Sequence, residues 1–155
     1  MFRRALVAII LTASLTTNSY ADKGLVNLET LEWQNRIIMV RVAQNFDQKC
    51  EQTIQTFKQF NISIEDRNIV WFVLCQPQSE QTSDLLISNY AGEFSPTLSK
   101  HIEQRYFKSI NDTVVLIGKD GGVKYRANEL DLESINRLID SMPMRQFEMS
   151  EKNNR

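Results

Sequence analysis

The residues with the most distinctive chemistry in this sequence are its two cysteines, Cys50 and Cys75. Cys50 lies in "FDQKCEQTIQTFKQF", which follows the apolar run "IIMVRV", and Cys75 ends a second apolar run, "IVWFVLC". If the runs are parallel strands and the stretch between them is a helix, both cysteines lie at the carboxyl-terminal edge of a sheet, where sites commonly form. There they can pair if their Cα atoms come within about 7 Å.

Three interpretations of Cys50 remain open at this level. A disulfide with Cys75 would stabilise the fold by roughly 3 to 4 kcal/mol in the chain-entropy model. A free Cys50 would share an apolar helical stripe with Ile54 and Phe57, which is typical of an inert core thiol. A catalytic Cys50 would use the positive end of the helix dipole to favour its thiolate.

The segment "GKDGG" predicts a tight turn between two strands, with Asp120, Gly121 and Gly122 serving backbone geometry. We expect Asp120 and Gly121 to take the two positive-φ positions. A phosphate-binding loop would require G-x-x-x-x-G-K-[ST] between a strand and a helix, and no Ser or Thr follows Lys119.

Metal binding and histidine catalysis have little support in the sequence. His101 is the only histidine, and it lies on the polar side of a predicted helix. Met142, Met144 and Met149 are close in sequence, and thioether ligands can bind cuprous ion, but packing of the last helix is the favoured interpretation. We therefore predict no metal and no cofactor.

The amino-terminal residues have the pattern of a cleaved signal peptide. Arg3 and Arg4 precede an apolar stretch at residues 5–15, which is too short to span a bilayer. Ser19 and Ala21 supply small residues at the minus-three and minus-one positions of a cleavage site. We expect residues 1–21 to be removed, and the mature chain to be periplasmic or secreted, where disulfides persist.

The remaining chain suits one domain, predicted over residues 22–149, with a disordered tail at 150–155. The formal net charge is −1 at pH 7, and no basic stripe points to nucleic acid. The chain has no second long apolar segment, so we expect no stable membrane insertion after cleavage. The sequence names no partner.

Hydrophobic periodicity predicts the order β-α-β, loop, α, β-β-α. Two apolar strands flank an amphipathic helix capped by Asp47, and the later elements are a hairpin and a closing helix capped by Asp131 and ended by Pro143. Residues 76–95 are predicted to be loop and 96–107 helix. This order is that of an α/β thioredoxin-like βαβ–α–ββα three-layer sandwich around a central mixed four-stranded sheet.

Four blocks of the sequence resemble the domain of unknown function 4174 family: "LEWQNRIIMV", "RNIVWFVL", "LIGKDGGVKYR" and "IDSMPMRQFEM". Together they span residues 31–149. The resemblance implies an exported thioredoxin-like domain without an established activity, with relatives in extracellular matrix proteins of animals.

The sequence departs from the redox members of the thioredoxin superfamily. It has no C-x-x-C, and no proline stands before the hairpin strand. "AQNFDQKC" is similar to the peroxiredoxin motif P-x-x-x-T-x-x-C, with Ala43 for proline and Asp47 for threonine. A carboxylate beside a thiol disfavours the thiolate. The leading hypothesis is a binding or structural module, and the alternative is a thiol peroxidase or thiol-disulfide oxidoreductase using Cys50.

Overall fold

The computed structural model describes residues 25–43, 46–76, 85–95 and 97–154. The predicted signal peptide and the prolines at positions 77 and 96 lie outside these ranges. Among the helices in these ranges, none is both long and apolar enough to cross a membrane.

The described chain forms seven strands, five α-helices and one 3-10 helix. In chain order the strands are β1 (Leu25–Val26), β2 (Arg36–Val42), β3 (Ile69–Cys75), β4 (Leu85–Ser88), β5 (Glu93–Phe94), β6 (Val114–Ile117) and β7 (Val123–Ala127). The helices are α1 (Phe46–Gln59), α2 (Asn61–Asp66), α3 (Leu98–Tyr106), α4 (Leu132–Asp140) and α5 (Pro143–Asn153), and the 3-10 helix is Leu28–Leu31.

A mixed five-stranded sheet in the order β4-β3-β2-β6-β7 is the centre of the fold. Strands β2 and β3 are parallel, and the other three pairings are antiparallel. Strands β1 and β5 form a separate parallel pair. The β3-β2-β6-β7 part is the predicted four-stranded core, so the predicted α/β fold is confirmed with one additional edge strand.

The two central strands are buried along their whole length because helices cover both faces of the sheet. Successive side chains of a strand point to opposite faces. Ile38 and Val40 therefore pack in the cluster that contains α1 and α4 residues, while Ile37 and Met39 pack with α3 and the 3-10 helix. This arrangement is the predicted three-layer sandwich.

The prediction of loop over residues 76–95 was wrong for β4 and β5. β4 is the fifth strand of the sheet and lies at its edge, where its side chains are half-buried or exposed. Beyond β4, the Asn89 side chain continues the pairing by accepting from Trp71 N at 2.8 Å and donating to Ile69 O at 3.2 Å. A short edge strand buries little apolar surface, so it leaves a weak sequence pattern.

Two details of the helical part differ from expectation. α1 begins at Phe46, so Asp47 lies inside its first turn and not at its cap. α2 was not predicted. Its six residues bury Ile64 alone, which gives no repeated apolar spacing.

The carboxyl-terminal region is more ordered than predicted. α4 ends at Asp140, and Pro143 begins α5. Proline is tolerated in the first turn of a helix because a backbone N–H there would have no partner within the helix. α5 continues through Asn153, so the tail predicted at 150–155 is helical up to that residue. Lys152 Nζ lies 2.7 Å from Asp66 Oδ1, and this ion pair ties the end of α5 to α2.

Candidate functional site

A disulfide joins the two cysteines at the carboxyl-terminal edge of β2 and β3. Cys50 is in the second turn of α1, Cys75 is the last residue of β3, and their Cα atoms are 6.1 Å apart. Cys75 pairs in register with Val42 at the end of β2. The sequence placed both residues at this edge because α1 begins where β2 ends, and the structure brings them together there.

Both sulfurs lie in the hydrophobic core. Cys50 is 5% exposed and Cys75 0% exposed. Phe57, on the same helical stripe as Cys50, stacks on Trp71 of β3 with ring centroids 4.8 Å apart. Exchange with a thiol or reaction with a peroxide requires access to sulfur. The packing of α1 on β3 denies that access, so the arrangement supports a cross-link.

Arg41 is a buried cation near the same edge that the sequence analysis did not identify. One of its terminal nitrogens donates to three backbone carbonyls, of Ser109, Ile110 and Asp112, at 2.8 to 3.0 Å. Its guanidinium lies 4.9 Å from the centre of the Phe107 ring. Arg41 therefore organises the loop between α3 and β6. The sequence feature that could have identified Arg41 is its charge within an otherwise apolar run of residues.

The β6–β7 turn is built by the predicted residues, with one correction. Gly121 has φ +73°, whereas Asp120 is not in the positive-φ region. Asp120 acts through its side chain, which accepts from Gly122 N at 3.2 Å and pairs with Lys124 Nζ at 2.6 Å. The hydrogen bond to Lys124 holds the pKa of Asp120 below its ordinary value. A single left-handed glycine beside a register shift is typical of a hairpin loop with a bulge.

A second cluster of polar residues, here called the ion network, closes the opposite edge of the sheet. Arg36, 1% exposed at the start of β2, forms a two-bond pair with Glu148 at 3.1 and 3.2 Å and donates to Arg67 O at 2.8 Å. Lys119 Nζ reaches the same carboxylate at 2.8 Å. Burial by itself raises the pKa of Glu148, but the hydrogen bonds and charges of Lys119 and Arg36 outweigh burial and lower it.

The ion network continues through α5, α4 and α2. Arg145, 3% exposed, donates to Asp66 O at 2.8 Å, pairs with the Asp66 carboxylate and approaches Asp140 Oδ1 at 3.3 Å. Arg67 Nε donates to the same Asp140 oxygen at 3.0 Å. The carboxylate of Asp66 also accepts a hydrogen bond from Lys152, and this bond, together with Arg145, lowers the pKa of Asp66. A buried guanidinium requires such partners, since leaving it unpaired is costly.

The ion network draws a side chain from each of the four sequence blocks, whereas both cysteines lie outside them. Each block supplies at least one of its side chains: Arg36, Arg67 and Lys119 come from the first three, and the fourth supplies Asp140, Arg145 and Glu148. The charges of the first three blocks are far from the fourth in the chain and carry no periodic signal, so sequence spacing did not reveal that they meet.

The remaining sequence candidates separate in space. His101 lies exposed on α3. Met142 packs against the core, whereas Met144 is 40% exposed, so the three methionines do not act as one packed group. Within the described ranges, no three His, Cys, Asp or Glu side chains are grouped to hold a metal ion.

The family model described as domain of unknown function (DUF4174) matches residues 27–148. The chain belongs to this family. No curated protein sequence matches it significantly. The match covers every residue of the disulfide, the turn and the ion network except Lys152.

Two solved structures from the peroxiredoxin group are similar to this DUF4174 chain. The reduced 2-Cys peroxiredoxin of Plasmodium vivax is 19% identical, with a TM-score of 0.50, over 82% of this chain and 85% of that one. Thioredoxin peroxidase I of Plasmodium yoelii is 18% identical, with a TM-score of 0.48, over 75% and 77%. At this identity, the likeness to the Plasmodium vivax structure shows the thioredoxin-like fold alone.

Proposed function

We propose that this chain is an exported thioredoxin-fold binding module in which the Cys50–Cys75 disulfide is structural. The observation that carries the proposal is the burial of both cysteines, 5% and 0% exposed, in the hydrophobic core between α1 and the sheet. A redox couple that turns over must present a sulfur to its partner. This fold instead uses the bond to fix α1 against β3.

The sequence around Cys50 supports the same conclusion. The chain lacks C-x-x-C, and Asp47 stands where the peroxiredoxin motif has threonine. A carboxylate near the thiol would work against the helix dipole, which favours thiolate. A thiol catalyst needs a lowered pKa, so this position is poorly suited to one.

A thiol peroxidase remains the second candidate because Cys50 and Cys75 pair as the product of such a cycle would. The Cys50 thiolate would attack a peroxide, forming a sulfenic acid and releasing water or an alcohol. The Cys75 thiol would condense with the sulfenic acid, releasing water and forming the disulfide. An external dithiol would then reduce the bond.

Peroxide consumption distinguishes the two candidates. The purified protein is reduced, mixed with hydrogen peroxide and a dithiol reductant, and compared with Cys50→Ser and Cys75→Ser. We expect consumption no faster than the reductant alone for all three. Rapid consumption by the wild type, abolished in Cys50→Ser and leaving a trappable sulfenic acid in Cys75→Ser, would establish the peroxidase.

Export is the second part of the proposal, and it rests on the amino-terminal pattern of Arg3, Arg4, the short apolar stretch and Ala21. Sequencing the amino terminus of the protein from the periplasm or medium should give Asp22. Soluble cytoplasmic protein that retains Met1 would contradict export without affecting the binding proposal.

A further inference from the structure

A cavity of about 330 Å³ lies between the 3-10 helix, α3 and the β6–β7 turn, on the face of the sheet opposite the disulfide. This volume is within the range of small-molecule sites. Its apolar lining consists of Leu28, Ile37, Leu98 and Ile117. Its charged and aromatic lining consists of Glu29, Glu32, His101, Arg105 and Tyr106.

The cavity brings together charged side chains that make no ion pair in the described part of the chain, although the Arg105 guanidinium lies 5.5 Å from the centre of the Tyr106 ring. Neither Glu29 nor Glu32 makes an ion pair with a described residue, and Arg105 makes none either. The ion network shows the opposite behaviour, since its carboxylates each meet a cation. Two carboxylates and one guanidinium leave this cavity with an unmatched negative charge.

Tyr106 provides an independent sign of a ligand. Its side chain is 6% exposed and lines the cavity, yet its hydroxyl has no hydrogen-bond partner among the described residues. The hydroxyl is not among the fully enclosed polar atoms without a partner in those residues, so it keeps accessible surface, and Tyr106 lines the cavity. Burial is the main cause that raises the pKa of Tyr106; Arg105 lowers it, and the charges of Glu32 and Glu29 raise it further.

The β6–β7 turn lies against one carboxylate of the cavity. A Cβ atom on Gly121 would lie 2.7 Å from Glu32 Oε1, so the absence of a side chain on Gly121 lets the turn backbone contact the carboxylate. The residue that the hairpin requires in the left-handed region therefore also shapes the cavity wall.

We propose that the cavity binds a lysine or arginine residue with a free α-carboxylate, with Glu29 and Glu32 holding the cationic side chain, Arg105 the carboxylate, and Tyr106 a hydrogen bond to the ligand. The methylene stem of such a ligand would contact the apolar lining. A free basic amino acid carries two cationic groups and one carboxylate, so its net positive charge would match the cavity's excess negative charge. The carboxyl-terminal residue of a peptide carries one of each and would be neutral there. This inference names the ligand of the proposed binding module and rests on that proposal.

The ligand can be a free basic amino acid or the carboxyl-terminal residue of a peptide, and calorimetric titration distinguishes these sources. The probes are L-lysine and the peptide Gly-Gly-Lys with a free carboxyl terminus, titrated into the folded mature chain. Nε-acetyl-lysine lacks the side-chain cation, and the amidated peptide lacks the carboxylate. Each loss should weaken binding about tenfold or more, since each removes a charge-assisted hydrogen bond.

Matched variants place the binding in this cavity. Glu32→Gln should weaken binding of the tighter probe about tenfold, and Tyr106→Phe about fivefold. Glu133→Gln is the control, because Glu133 is an exposed carboxylate on α4, 72% accessible and outside the cavity. Thermal unfolding would verify that all three variants remain folded.

Binding of both probes, or of either one alone, supports the proposal and assigns the source. No saturable binding of either probe tighter than about 10 mM would overturn it, as would wild-type affinity in both Glu32→Gln and Tyr106→Phe. The peroxide assay tests the binding-module proposal separately, so the absence of ligand binding in the cavity would not be evidence for peroxidase activity.

Discussion

The two ends of the central sheet are closed by different chemistry. At the carboxyl-terminal end of β2 and β3, a buried disulfide joins α1 to the sheet. At the amino-terminal end, the ion network joins β2, α2, α4 and α5 through buried arginines. The disulfide itself buries no charge, and the buried Arg41 near it is held by backbone carbonyls. The ionic end instead depends on its buried arginines keeping their carboxylate partners.

The largest expected effect on stability comes from removing the disulfide. Cys50→Ser and Cys75→Ser should each lower the free energy of unfolding by about 3 to 5 kcal/mol, because each removes the same cross-link from the core. Urea unfolding of the oxidised wild type and both variants measures this. Equal losses identify a structural bond. A loss in Cys75→Ser with none in Cys50→Ser would show that the bond does not hold the fold.

Breaking the ionic end should cost somewhat less. Glu148→Gln leaves the Arg36 guanidinium, 1% exposed, without its charged partner, and should lower the free energy of unfolding by about 2 to 3 kcal/mol. The exposed pair Arg137–Glu133 provides the control, where Glu133→Gln should change stability by less than about 0.5 kcal/mol. Equal losses of stability in Glu148→Gln and Glu133→Gln would mean that the ion network stabilises the fold no more than an exposed ion pair does.

The turn offers a matched pair of glycines with a smaller effect. Gly121→Ala should cost about 1 to 2 kcal/mol, because its φ of +73° disfavours a side chain. Gly122→Ala should change stability by about 0.5 kcal/mol or less, since its φ is ordinary and a Cβ there would make contacts no closer than 3.4 Å. If the two substitutions cost the same, the left-handed turn would not be the reason for Gly121.

The smallest effect concerns pH, and it separates the two ends. The folded pKa values of Glu148 and Asp66 are lowered, so these groups contribute stability above their ordinary values of 4.5 and 3.8. The unfolded state binds the protons first as the pH falls, and this contribution is lost as the pH passes through the folded pKa values. Urea unfolding between about pH 6 and pH 3 should therefore show acid destabilisation that is weaker in Glu148→Gln. An unchanged pH dependence would exclude Glu148 as its source.

The same contrast explains which parts were predictable from sequence. The β2 and β3 strands, the Cys50 stripe and the Asp131 cap follow from local spacing, and the Asp131 carboxylate does accept from Ser134 N at 3.0 Å. The shared edge of Cys50 and Cys75 follows from βαβ geometry.

The ionic end was not predictable in the same way. Arg36 and Glu148 are joined across the chain by folding, and neither residue's neighbours indicate the other. β4 and α2 were missed because each buries too little apolar surface to repeat a pattern. The cavity walls likewise come from three separate segments.

Native-state thiol labelling of the purified protein, read by mass spectrometry with and without a reductant, tests the central claim most directly. If the disulfide is structural, the folded protein contains the Cys50–Cys75 cross-linked peptide and takes up no label, and reductant exposes thiols only when denaturant opens the core. Rapid labelling of Cys50 in the native protein after mild reduction, with Cys75 unlabelled, would show an accessible redox couple and contradict the account.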